Sequence, residues 1–160
     1  MKSIVMLATI HQRQIPGLAS DSELEARLGY LKSKFSVQIV MEEWAEKHGE
    51  SVAKKFAAKS GIQWASVGTP DEPQFSTYTG PINYPGHDGT LQPPDWHAPP
   101  MDEYGPFANQ EAREDRMAQN VKSEMENRET GLFVLGIAHL HSLFGKLTVL
   151  GFDVKGYSWF

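Results

Sequence analysis

The pattern of the chain predicts an α/β fold: a single domain built on a mostly parallel sheet of about five strands with helices on both faces. Apolar runs of strand length recur, and each is followed by a stretch whose apolar residues return at helical spacing. A strand-helix-strand-helix-strand order implies right-handed parallel crossovers. At 160 residues the chain can also bury a substantial core as one domain without disulfide or metal staples.

The first strand is Ser3 to Ile10, whose Ile4, Val5, Met6, Leu7 and Ile10 suit a strand covered on both faces. Pro16-Gly17 marks a loop, Ser20 and Glu23 have the spacing of a capping box, and Leu24, Leu28, Leu31 and Phe35 define the first helix. Val37 to Met41 is the second strand. Ala45 to Lys59 follows as a helix, with Gly49 weakening its first half and Gly61 suited to the position past its end. Ile62 to Val67 is the third strand. Residues 70–106 then break the pattern with nine of the ten prolines and the aromatics Phe75, Tyr78, Tyr84, Trp96 and Tyr104. A segment this long and irregular, inserted in a compact domain and rich in aromatics, reads as an arm or lid. A polar helix from Asn109 to Thr130 turns Met117, Val121 and Met125 inward, the fourth strand runs Leu132 to Ala138, and a helix with Leu140, Phe144 and Leu147 stops at Gly151. Phe152-Asp153-Val154 begins the fifth strand. The expected strand order is 3-2-1-4-5.

Composition narrows the function. A net charge of -5 gives no broad cationic field for nucleic acid, and no apolar stretch approaches the roughly 20 residues of a membrane-spanning helix. The first ten residues read as a buried strand rather than a leader, so a cytoplasmic location is expected. With no cysteine, any metal must be held by His, Asp or Glu. No phosphate loop, dinucleotide fingerprint or nucleophile elbow is present.

Three strands run out on residues able to hold a metal or move a proton: His11, Glu42 and His139. Ligand crevices of open α/β sheets lie at the carboxyl ends of the strands, where neighbours sit about 4.8 Å apart. Two imidazoles and a carboxylate suit a divalent ion such as Zn²⁺, Mn²⁺ or Co²⁺. Glu43 points to the opposite side of a strand from Glu42, but at a strand end either carboxylate can be the inward one. Arg113 either steadies developing negative charge or neutralises Glu42 in a structural bridge. His48 and His141 read as structural or solvated, and His87 and His97 as surface residues.

Several motifs resemble the Tiki/TraB family, part of a wider group with erythromycin-esterase-like hydrolases and ChaN-like haem-binding lipoproteins. They are Thr9-Ile10-His11, Val40-Met41-Glu42, the Arg113 to Ala118 helix with its Met117-Ala118, and Gly136-Ile137-Ala138-His139 followed by Gly151-Phe152-Asp153-Val154. The chain departs from the family in being shorter, in carrying the 70–106 arm in place of an extra helical region, and in having Ala8 where a glycine is usual. The resemblance implies a small hydrolase acting on an amide or ester of a small molecule or peptide. His11, Glu42 and His139 would activate water, directly or through a divalent metal, with Arg113 assisting. The alternative is a non-catalytic module on the same fold, gripping a protein partner or a second copy through residues 70–106.

Overall fold

In the computed structural model, residues 1–68 and 110–159 are described. They form one five-stranded sheet in which every pairing is parallel. The elements in chain order are β1 (Ser3–Thr9), α1 (His11–Gln14), α2 (Asp21–Phe35), β2 (Ile39–Glu42), α3 (Val52–Lys59), β3 (Gln63–Ser66), α4 (Gln110–Glu124), β4 (Thr130–Gly136), α5 (Ile137–Val149) and β5 (Asp153–Ser158). Among the described residues no helix is long and apolar enough to cross a membrane. The expected arm, 70–106, lies outside them, and with it the lid and the partner surface.

The class is the expected one, but the sheet runs β3-β2-β4-β1-β5, so strands one and four exchange places relative to the predicted 3-2-1-4-5 order. The physical reason is burial. β4 carries apolar side chains to both faces: Leu132 and Val134 join Val5, Leu7 and Val40 beneath α2 and α3, while Phe133 and Leu135 join Met6, Ile39 and Met41 beneath α4 and α5. A strand this apolar on both sides gains most at the centre of the sheet. Gly131 completes the fit, because a Cβ there would stand 2.5 Å from Met41 Cε and 2.7 Å from Met125 Sδ.

Smaller differences have local causes. Ser20 makes no side-chain cap to α2; instead Asp21 accepts from the backbone N–H of Gly17 at 2.7 Å and of Leu18 at 3.3 Å. The helix expected from Ala45 is a short 3-10 turn at Glu46–His48 and then α3, divided at Gly49, whose φ of 82° no α-helix accommodates. Ser51 restarts it, accepting from Lys54 N–H at 3.0 Å. α4 ends at Glu124 rather than Thr130, which already opens β4. Gly61 and Gly151 have positive φ just past α3 and α5, as their positions predict.

Candidate functional site at the carboxyl ends of the strands

Alternation along β2 decides which acidic side chain meets the imidazoles. Ile39 and Met41 face α4 and α5, whereas Val40 faces α2 and α3. The ladder continues one residue past the strand, since Glu43 N–H donates to Val134 O at 2.9 Å. Glu42 therefore falls on the α2/α3 side and Glu43 on the α4/α5 side, where His139 and Arg113 are.

Glu43 is fully buried and lies between two histidines: Oε1 is 2.8 Å from His11 Nε2, and Oε2 is 3.2 Å from His139 Nε2. β1, β4 and β2 are neighbours, so the exchanged order still brings these strand ends together. Gly136, at the end of β4, lies beneath the junction. A Cβ there would be 2.7 Å from His11 Nε2 and 3.3 Å from Glu43 Oε1, so space rather than conformation requires glycine.

The far side of each ring is also occupied. His139 lies in the first turn of α5, and its Nδ1 is 2.9 Å from Glu114 Oε1; Glu114 also accepts from Ser142, one turn further along α5. His11 Nδ1 is 2.6 Å from Gln14 Oε1. The buried Gln14 amide is oriented by its other end, which donates to Glu42 Oε1 at 2.9 Å and to Glu43 O at 3.3 Å. Each imidazole thus faces an oxygen acceptor at both nitrogens.

The electrostatics follow from this arrangement. Burial opposes charge on His11, but Glu43 and the Gln14 contact outweigh it and raise the pKa above the usual histidine value. His139 behaves alike: burial is overcome by Glu43 and Glu114, with Arg113 opposing. Burial would raise Glu43, yet the two histidines and Arg113 hold its carboxyl down at about 2. Arg113 therefore acts on Glu43, and the alternative bridge to Glu42 is not the arrangement observed.

Glu42, expected as the ligand, faces away from His139. It accepts from Ser51 Oγ at 2.5 Å, Trp64 Nε1 at 2.7 Å and Gln14. Desolvation exceeds the help of these three donors, so its pKa is pushed up to about 7. Sequence reasoning named Glu42 while leaving open whether Glu42 or Glu43 is the inward acid, and passed over Glu114 and Gln14. The alternation of β2 carried the signal for Glu43, and the position of Gln14, three residues after His11 in one helical turn, carried it for Gln14. His141 is exposed, and His48 meets Trp44 edge-on with ring centroids 6.0 Å apart.

Two imidazoles and a carboxylate are donor types that divalent ions accept. Both Glu43 oxygens are buried without a well-directed hydrogen bond, although each stands against an imidazole nitrogen. Outer acceptors on both Nδ1 atoms are the usual support of metal-binding histidines, leaving Nε2 as the lone-pair donor. Among the described residues no group of three His, Asp or Glu side chains is arranged to hold a metal ion, and the two rings and Glu43 stand at ion-pair distance from one another. Comparison with family models, with curated proteins and with solved structures finds no match to this chain.

Proposed function

We propose that the chain is a small hydrolase that activates water for amide or ester cleavage, with a divalent metal held by His11, Glu43 and His139. The observation that carries this reading is the buried Glu43 carboxylate between two Nε2 atoms whose rings already meet acceptors at Nδ1. Two imidazoliums or one cation satisfy such an arrangement. A bound ion would lower the pKa of a coordinated water toward neutrality and polarise the scissile carbonyl.

The residues divide the work. Glu114 and Gln14 hold the two rings with Nε2 toward Glu43. Arg113, 8% exposed and near enough to lower the Glu43 pKa, would stabilise the negative charge that develops on the carbonyl oxygen. Glu42 serves from behind, fixing Gln14 and through it His11.

Titration of the purified protein with Zn²⁺ and Mn²⁺ by calorimetry tests the site, and release from ester and peptide-amide substrates tests the reaction. Wild type is expected to bind about one ion at micromolar concentration or tighter. His11→Ala, His139→Ala and Glu43→Gln should lose that binding, and Glu114→Gln should weaken it by about 10- to 100-fold. Glu42→Gln should retain it. Absence of binding by wild type at micromolar metal removes the metal-dependent reading, and undiminished binding by the three ligand variants removes the site.

A further inference from the structure

β5 is an edge of the sheet, paired on one side with β1. Asp153 N–H donates to Lys2 O at 2.9 Å and Trp159 N–H to Ala8 O at 2.8 Å, so the odd-numbered residues of the strand turn their backbone groups toward β1. Those of Val154 and Gly156 consequently point to the outer side, where among the described residues no backbone hydrogen bond reaches them. A row of outward N–H and C=O groups is a template for another strand.

Natural edges are commonly blunted with charge, lysine above all, because like charges brought together repel. This edge is charged differently. Asp153 and Lys155 flank Val154, share one face of the strand and pair with each other within the chain, their side chains 47% and 31% exposed. Acid, apolar, base in succession is complementary to its own reverse. Register then matters, since the outward groups of Val154 and Gly156 can meet an antiparallel copy in more than one way. Val154 opposite Gly156 would set Lys155 against Lys155, and Gly156 opposite Gly156 would set it against Tyr157. Only Val154 opposite Val154 places Asp153 against the partner's Lys155 and Lys155 against the partner's Asp153, in the directly opposed pairs whose side chains approach most closely.

We propose that the outer edge of β5 pairs with the β5 of a second copy of this chain, antiparallel and centred on Val154, in a two-fold symmetric dimer whose sheet runs through both copies. At the axis the two Val154 residues exchange N–H to C=O bonds. On either side the charges alternate, so that each carboxylate meets an ammonium of its own chain and one of the partner. The contact is small, and association in the micromolar range follows. It draws on no residue of the candidate site and is independent of the hydrolase reading.

The test is sedimentation velocity of the full chain from about 1 to 300 μM, across which wild type is expected to pass from monomer to dimer. Asp153→Lys and Lys155→Asp each set like charges opposite one another and should weaken association by about tenfold or more. The two together reverse both signs and should restore it. Val154→Pro removes an N–H that serves no ladder bond within the chain, so it should abolish the dimer while the diluted protein keeps its circular dichroism spectrum. If Val154→Pro does not fold, the charge exchange decides alone. Monomer at every concentration, a dimer indifferent to both single reversals, a combined exchange that stays monomeric, or a folded Val154→Pro that still dimerises overturns the proposal.

Discussion

At the scale of single residues, the two adjacent glutamates show how one step along a strand sets chemistry. Glu43 meets imidazoles and Arg113 and stays ionised, whereas Glu42 meets neutral donors and is raised from 4.5 to about 7. For Glu42 the folded state prefers the proton, so its contribution to stability is complete below pH 4.5 and is lost as pH rises toward 7. The span corresponds to about 3 kcal/mol. His11 and His139, raised from 6.5, add loss in the same direction as pH climbs through their folded values. Glu43 acts oppositely, its stabilisation present above 4.5 and lost in more acidic solution. Thermal melts of metal-free protein should therefore fall between pH 5 and 8, and Glu42→Gln should flatten that decline. An unchanged slope in the variant would show that Glu42 titrates normally. Gly136→Ala forces a methyl group into the 2.7 Å approach to His11 Nε2; a loss of about 1–3 kcal/mol in urea unfolding is expected, together with weakened metal binding.

At the scale of elements, Ser51 joins local structure to the buried acid, accepting from Lys54 N–H as the cap of α3 while donating to Glu42. Ser51→Ala removes both roles and should cost about 1–3 kcal/mol, measured by denaturant midpoint; a loss near zero would show that Glu42 finds another donor. The existence and order along the chain of the five strands were legible because apolar runs report burial directly. Their spatial order was not, because nothing local in Leu132 to Leu135 states which strands will flank them. His11 and His139 were legible as strand-end residues. The choice between Glu42 and Glu43 stayed open because a strand end can turn either acid inward, although alternation from Met41 points to the second. Glu114 faces His139 only because α4 lies beside α5, a tertiary fact that helical periodicity alone does not supply.

At the scale of the whole molecule, placing β4 between β1 and β2 makes the sheet depend on both parts of the chain. β1 pairs with β4 and β5, and β2 with β3 and β4, so β1 and β2 share no ladder. A fragment of residues 1–68 should accordingly lack a cooperative unfolding transition by circular dichroism, and mixing it with residues 110–160 should restore one. Independent cooperative unfolding of 1–68 would show that β1 and β2 can pair directly. The candidate site has the same dependence, drawing His11 and Glu43 from one part and Arg113, Glu114 and His139 from the other. For a nascent chain this means that the first strand emerges from the ribosome long before its permanent neighbours are made. The two imidazoles that flank Glu43 are 128 residues apart (139 − 11), so they can meet only after the whole stretch between them has been synthesised.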